Sequence, residues 1–376
     1  MESSRDKLVA VFFTHGVSLE LWEKRGMFSR EVQFYKALAD KLGVVHLFTY
    51  GRDDARYQKR LGERLVVHPK RLPLPDLLYG LLLPFLSWRL LRRVNAIRIH
   101  QTAGAIPAVL AHWLTCKPLI VRGGFQWYSF AKRQGSSKLK LSIISLIERL
   151  AYRCAHAIIH TTQADANFVA ARYGVAARKL HAIPNWVDTD LFRPYPECHP
   201  SASKHEALPR ICFVGRLEEQ KNLFALIEAM RGLRAQLHVY GDGPSREPLR
   251  EHARAMDVSV VFHGVVANDR LARCLCACDI FVLPSLYEGN PKVLLEAMAC
   301  GLPVIGTNVE GIASVIEDSK TGILCETRPE SIHQAITDLL ADPVRRARLG
   351  AAAREFIVGY ASLERALQTE VPLYDL

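Results

Sequence analysis

Short apolar runs recur along the chain, separated by stretches in which apolar residues return at helical spacing. That alternation predicts parallel sheets built from strand–helix–strand units. In the first half it predicts strands over Leu8–Thr14, Val44–Tyr50, Ala96–Gln101, Pro118–Arg122, Ala157–His160 and His181–Pro184. In the second half it predicts them over Arg210–Val214, Gln236–Tyr240, Val260–Phe262, Ile280–Pro284 and Pro303–Thr307. Helices are expected between them, among others over Asn222–Met230, Pro244–Met256 and Val293–Cys300.

From Asn185 to Leu208 the rhythm breaks into Pro, Ser, His and Glu without a sustained apolar period, which marks a linker near the midpoint. The expected division is a first domain over 1–186, a linker over 187–208 and a second domain over 209–354. A last helix within 355–376 is expected to cross back to the first domain. Two doubly wound domains facing a central cleft place the carboxyl ends of both sheets where such sheets bind ligands.

A chain of 376 residues is long for one core and comfortable for two. No window holds the ~18 consecutive apolar residues of a membrane-spanning helix. Glu2 and Asp6 argue against reading the N-terminus as a signal peptide. The nine cysteines are scattered, and Cys274, Cys276 and Cys278 lack the spacing of a zinc knuckle, so a reduced cytoplasmic protein without a metal site is expected.

Charge changes the picture. Residues 1–190 hold 29 Lys and Arg against 14 Asp and Glu, whereas the remainder is mildly acidic. A basic half suits an anionic partner: nucleic acid, anionic lipid or a phosphorylated substrate. Leu77–Arg93 is rich in Leu and closes with Trp88 and three arginines, too short and interrupted to span a bilayer but suited to lie on one. Lys132–Lys140 adds four basic residues ahead of another apolar helix. The expected localisation is therefore cytoplasmic, peripheral on an anionic membrane surface.

The chemistry concentrates in Ile280–Thr307. An apolar run ends at Pro284, a loop presents Glu288, Gly289, Asn290 and Pro291, and a helix opens near Lys292 and Val293 with Glu296 about one turn inside. Such a helix start offers unpaired N–H groups and the positive end of a dipole to a diphosphate. Glu296 is placed to accept hydrogen bonds from a ribose diol, and Glu288 to lie beside the group on the far phosphate. Upstream, Phe-Val-Gly-Arg-Leu-Glu-Glu-Gln-Lys-Asn at 213–222 runs from a strand through Gly215 to Arg216 and Lys221, two cations suited to a departing diphosphate.

Glu288 and Glu296, in the context Tyr-Glu-Gly-Asn-Pro-Lys-Val-Leu-Leu-Glu-Ala-Met-Ala-Cys-Gly-Leu-Pro-Val, resemble the Glu-x7-Glu motif of the retaining glycosyltransferases of family 4, group 1. The resemblance implies the GT-B architecture of two Rossmann-like domains. It also implies that Arg216 and Lys221 contact the donor diphosphate. His-Val-Tyr-Gly-Asp-Gly-Pro at 238–244, with Gly241 and Gly243, agrees with it, as does Phe-His-Gly-Val-Val at 262–266. In the family the latter segment meets the nucleotide base, which nominates His263, Gly264 and Val265. Asn-Trp-Val-Asp-Thr-Asp-Leu-Phe at 185–192 is similar to an interdomain motif, with Trp186 where Gly is usual.

The first half departs further from the family. Thr-His-Gly-Val-Ser at 14–18 nominates Gly16 as a backbone approach to the donor phosphate. His100 ends a strand where the family often carries Asp-Val-x-His-x-His, but Asn95 and Arg98 replace two of those residues. Where many members carry His-Gly, this chain has Arg122-Gly123. Arginine cannot act as a base, so Arg122 either binds an anionic group on the donor or acceptor or pairs with a carboxylate. His100 is likewise either an acceptor-side group or a satisfied core histidine.

The function so implied is metal-independent transfer of a hexose, with retention, from a UDP- or GDP-sugar to a saccharide or lipid-linked acceptor in bacterial surface polysaccharide or lipopolysaccharide synthesis. No cofactor beyond the nucleotide sugar and no nucleic-acid partner are expected. The alternatives are a catalytically silent partner subunit of the same fold and a nucleotide-sugar epimerase.

Overall fold

The structure is a computed structural model that describes residues 7–124, 126–195 and 208–375. It divides into two compact units, one of residues 1–184 with 366–376 and one of residues 185–365.

The strands of the first unit are β1 (Lys7–Phe12), β2 (Gly43–Phe48), β3 (Leu65–His68), β4 (Ala96–Ile99), β5 (Leu119–Gly123), β6 (Ala157–His160) and β7 (Leu180–Ala182). Its helices begin with α1 (Leu19–Lys24), α2 (Phe28–Leu42), α3 (Gln58–Leu61), α4 (Asp76–Leu86) and α5 (Trp88–Leu91). They continue with α6 (Ala105–Thr115), α7 (Trp127–Arg133), α8 (Lys138–Cys154) and α9 (Gln163–Tyr173). Among the described residues these strands form one parallel sheet in the order β3-β2-β1-β4-β5-β6-β7. Val9, Ala10 and Val11 of β1 are all fully buried, because helices cover both faces and every side-chain direction points into apolar packing. α8 and α9 start at the side-chain caps Ser137 and Thr162, which accept from Lys140 N and Asp165 N.

The second unit carries β8 (Arg210–Val214), β9 (Gln236–Tyr240), β10 (Val260–Gly264), β11 (Ile280–Leu283), β12 (Val304–Thr307) and β13 (Ile323–Cys325). Its helices are α10 (Leu223–Ala229), α11 (Arg246–Ala255), α12 (Asn268–Cys276), α13 (Lys292–Ala299), α14 (Glu310–Ala313), α15 (Pro329–Ala341) and α16 (Pro343–Ala361). The parallel sheet runs β10-β9-β8-β11-β12-β13. A final helix, α17 (Leu363–Glu370), reaches the residues from Ala366 onward that cluster with the first unit.

The expected strands all occur, three with the expected ends and the rest with ends moved by one or two residues. β3 and β13 are additions. Both are edge strands of only three or four residues, too short for their apolar run to stand out as a strand. The start of the expected linker is different in kind. Val187 bridges Ser362, its N–H donates to Ala361 O at 2.8 Å, and Val187 and Phe192 are buried in the second core. Residues 187–195 are therefore packed chain rather than a free connection, because their apolar members sit against α16. The rest of that expectation, 196–207, lies outside the described residues, as do Glu2 and Asp6.

Candidate functional site

In the second sheet β8 pairs with β9 on one side and β11 on the other, so the strand order reverses there. Ligands of doubly wound sheets bind beyond the carboxyl ends of the strands at such a reversal. The loop after β8 carries Gly215, Arg216 and Lys221, and the loop after β11 carries Glu288.

Those two loops are joined. Lys221 Nζ donates to Glu288 Oε1 at 2.5 Å, and Ser285 Oγ donates to the same oxygen at 2.7 Å. The Lys221 and Glu288 side chains are only 13% and 8% exposed, so the pair is largely desolvated and its geometry is fixed. Backbone contacts hold the loops in register. Gln220 accepts from Leu286 N and donates to Tyr287 O. Asn222, at φ +54°, donates to Pro284 O and Thr327 O. Thr307 Oγ1 donates to Ser285 O at 2.6 Å. Gln220, Asn222, Ser285 and Thr307 were not candidates in the sequence: Ser285 is a common polar residue beside the motif, and the roles of the other three depend on partners remote in the chain.

Arg216 lies apart from this pair. Its side chain is 70% exposed and meets Glu218 at 3.0 Å. Gly241, at φ +134°, is required by a close approach: a Cβ there lands 1.9 Å from Gly215 O. Gly243 follows in the same turn, its N–H bonded to the Asp242 carboxylate at 2.8 Å. At the end of β10 the His263 ring stacks on Tyr240, with centroids 4.3 Å apart and planes within 8°. Its Nε2 also lies 3.0 Å from His238 Nδ1. Burial, and the nearby Arg210, hold the His263 imidazole below its ordinary pKa. Gly264 and the exposed Val265 follow it.

Beyond Glu288, Asn290 is clamped: its Oδ1 accepts from Asn185 N at 2.8 Å and its carbonyl from Asn185 Nδ2 at 2.6 Å. This gives a local reason for the Asn185 motif. A second clamp is Gly311 of α14, where a Cβ would fall 2.0 Å from Gly289 O. Pro291 caps α13 without a side-chain hydrogen bond, and Lys292 and Val293 form its first turn. The Lys292 ammonium stands 5.9 Å from the centre of the Trp186 ring. Glu296, one turn in, is 1% exposed, and its Oε1 accepts from Asn268 Nδ2 at 2.9 Å. The Glu296 carboxylate is thus enclosed and oriented rather than displayed on the surface.

In the first unit the order reverses between β1 and β4, and Gly16 and His100 fall at the ends of these two strands. His100 Nδ1 lies 2.6 Å from the Tyr35 hydroxyl, and its ring packs against Phe13 and Trp22. Arg122, at the end of β5 with Gly123, meets a carboxylate: its Nη1 is 3.2 Å from Glu370 Oε2. Glu370 also binds Arg98 Nε at 2.7 Å and accepts from Tyr374 at 3.2 Å. Of the two readings of Arg122, the paired one is the arrangement observed. Burial alone would raise the Glu370 carboxyl, but Arg98 and Arg122 outweigh it and hold it below the ordinary range. Burial lowers Arg122, whereas Arg98 is held high because Glu370 more than offsets its burial. Arg98 stood in the sequence only as a departure from the family's pattern, and Glu370 sits in no motif, so their pairing was not legible there.

Among the described residues no group of three or more His, Cys, Asp or Glu has a metal-holding arrangement. No helix among them is long and apolar enough to cross a membrane.

Known proteins resemble the chain along most of its length. The family model described as Glycosyltransferase Family 4 matches residues 26–191, and that described as Glycosyl transferases group 1 matches residues 196–356. A GDP-mannose-dependent alpha-(1-6)-phosphatidylinositol monomannoside mannosyltransferase of Mycobacterium tuberculosis is 34% identical over half of this chain and 53% of its own length. The chain thus spans about half the length of that relative. The protein of the same description from Mycolicibacterium smegmatis is 29% identical over 79% of this chain and 80% of its own. The crystal structure of Anabaena HepE in complex with UDP and glucose superposes with a TM-score of 0.78 at 18% identity, covering 99% of this chain and all of that one, a likeness of fold. The two models adjoin and together take in most of both units, and the chain belongs to the family 4, group 1 glycosyltransferases, with a GT-B fold.

Proposed function

We propose that the protein transfers a hexose from a nucleoside-diphosphate sugar to a saccharide or lipid-linked acceptor, with retention and without a metal ion. The observation that carries this reading is the desolvated Lys221–Glu288 pair at the strand-order reversal of the second sheet, beside the uncapped start of α13. The donor is a GDP- or UDP-sugar. GDP-mannose is the first to test, because the mycobacterial relatives are GDP-mannose-dependent enzymes.

In this reading the bond between the anomeric carbon and the diphosphate breaks as the acceptor hydroxyl attacks from the same face. The hydroxyl proton passes to the departing phosphate oxygen. Lys221 and the N–H groups of the first turn of α13 stabilise the charge that grows on the diphosphate. Arg216, exposed on its loop, turns from Glu218 toward the same group. Glu288 holds the sugar hydroxyls and favours positive charge at the anomeric carbon. Glu296, aimed by Asn268, takes the ribose, and the Tyr240–His263 stack provides a flat surface for the base. Bacterial surface polysaccharide or lipopolysaccharide synthesis, on the cytoplasmic face of a membrane, is the setting that suits these parts.

The test is a thermal-shift screen of GDP, UDP, ADP and CMP on the wild type, Lys221→Ala and Glu296→Ala, followed by donor turnover with the nucleotide sugar of the best ligand. Stabilisation by one diphosphate nucleotide, lost in both variants, supports the donor pocket. Folded protein that responds to none of the four overturns it and favours a silent subunit.

A further inference from the structure

In the first unit a cavity of about 500 Å³ opens between α7, α8 and α9, lined by none of the candidate residues at the ends of β1 and β4. Its walls include Tyr128, Lys138, Ser142, Ser145, Arg149 and Arg172. The Arg172 guanidinium lies over the Tyr128 ring, 3.6 Å from its centre, and Arg172 Nε donates to the Tyr173 hydroxyl at 3.3 Å. That cation is therefore held in place rather than free to sweep the solvent. A second cavity of about 450 Å³ shares Tyr128 and Arg172 and adds Lys132 and Arg133.

The sequence of α8 explains the chemistry. Lys138, Ser142, Ser145 and Arg149 follow one another at spacings of four, three and four, so they form one stripe along the helix, and it faces the cavity. Leu139, Ile143, Leu146 and Leu150 repeat the same spacing one residue later, and all four are exposed, Leu139 at 73%. A third face, Ile144, Glu148 and Ala151, is buried. The helix thus has one buried face and, side by side on its outer surface, a cationic–hydroxyl stripe and an apolar stripe.

Neighbouring helices also expose apolar side chains. α8 packs on α6, which exposes Trp113, and α6 packs on α4, which exposes Leu78, Leu81 and Phe85. In the second unit the large exposed apolar residues, such as Phe224, Val265 and Val344, are scattered. Contiguous apolar surface on a helical face rimmed by cations marks a lipid-facing surface. The charge is one-sided. From residue 126 to residue 164 there are six Lys and Arg and a single acid, Glu148, which is buried and bonded by the Tyr173 hydroxyl at 2.5 Å.

We infer that the cavity between α7, α8 and α9 binds the phosphate of a lipid headgroup while the lipid chain lies along the exposed Leu139–Ile143–Leu146 stripe of α8. The phosphate oxygens accept from Lys138, Arg149 and Arg172 and from the hydroxyls of Ser142 and Ser145. The site does not depend on glycosyl transfer, so an inactive protein that binds vesicles leaves it standing.

The experiment is sedimentation of the full chain with vesicles of phosphatidylcholine alone or with phosphatidylglycerol. Binding is expected only with the anionic lipid. Lys138→Gln with Arg149→Gln should weaken it about thirty-fold, roughly five-fold per cation. Leu139→Ser with Ile143→Ser and Leu146→Ser should weaken it as much. Lys59→Gln with Arg64→Gln, exposed near the opposite edge strand β3, removes the same charge and should leave binding within about two-fold. All the substituted side chains are exposed, and circular dichroism checks that each variant is folded. Equal loss in the Lys59/Arg64 control overturns the site in favour of diffuse charge. Full vesicle binding by the leucine variant overturns it too. So does thermal stabilisation by inorganic pyrophosphate that Lys138→Gln with Arg149→Gln abolishes, in a protein that ignores vesicles, which marks the cavity as a site for a soluble phosphate.

Discussion

Lys221 and Glu288, 67 positions apart, meet at 2.5 Å with both side chains largely withdrawn from water. The contact links the loop after β8 to the loop after β11, and Ser285 shares the same carboxylate oxygen. A desolvated carboxylate needs such partners, and the partners in turn fix where its second oxygen points. The pair is both a structural tie and the centre of the proposed donor site.

Glu288→Ala should therefore lower transfer by on the order of 10²–10³-fold, as removal of one preorganised charge does elsewhere. Nucleotide affinity should change little, since Glu288 is assigned to the sugar. Lys221→Ala should lower both, because it strips the diphosphate of a cation and leaves Glu288 with Ser285 alone. Initial rates and nucleotide titrations on the two variants separate these patterns. Turnover near wild type in Glu288→Ala removes the assignment, and so does a strict Mn²⁺ requirement, since Lys221 and Arg216 are given the metal's task.

Glu296 and Asn268 make a second, independent pair. Glu296→Ala is expected to weaken nucleotide binding about ten-fold, and Asn268→Ala nearly as much, because the enclosed carboxylate loses the donor that orients it. Turnover at saturating donor should fall less than affinity. Calorimetric titration reads the first quantity and rate at high donor the second. An Asn268→Ala protein with unchanged affinity makes the pair a packing feature only.

Gly311 tests the loop rather than its charges. A methyl group at this position would meet the carbonyl oxygens of Gly289 and Glu288 at 2.0 and 2.4 Å, so the loop that carries Glu288 must move. Gly311→Ala should cost about 1–3 kcal/mol of stability, as overpacked sites do. It should also depress turnover more than that loss explains, since the Lys221–Glu288 contact is disturbed. Denaturant melts beside rates at a temperature where the variant is folded supply the comparison.

Much of this was legible in the sequence. The strands of both sheet centres read as apolar runs because helices cover both faces, and the Glu288–Glu296 segment carries its strand–loop–helix order in consecutive residues. The edge strands β3 and β13 did not, because their apolar runs are only three residues long. Nor did the partners of the site residues. Ser285 lies next to the motif but Gln220, Asn268 and Gly311 are remote from Glu288 and Glu296 in the chain, and only folding brings them there. Arg122 shows the limit most plainly. Its position suggested an anion or a carboxylate, and the carboxylate that meets it, Glu370, is 248 residues away.

That last contact has a consequence for stability. Glu370 and Arg98 are 0% and 1% exposed and Arg122 10%, so one buried carboxylate bridges two largely buried cations. Glu370→Gln preserves shape but removes the charge that both guanidinium groups share, and should cost about 3–5 kcal/mol at neutral pH. Because the Glu370 carboxyl is held below its ordinary value of 4.5, its contribution is fully present above that value and is lost as pH falls through the folded-state value. The stability gap between wild type and Glu370→Gln should therefore be constant from about pH 7 to about pH 5 and narrow below about pH 4.5. Denaturant unfolding of both proteins across that range measures the gap. If it keeps its full size in acid well below that point, the loss in the variant comes from packing and not from the charge on Glu370.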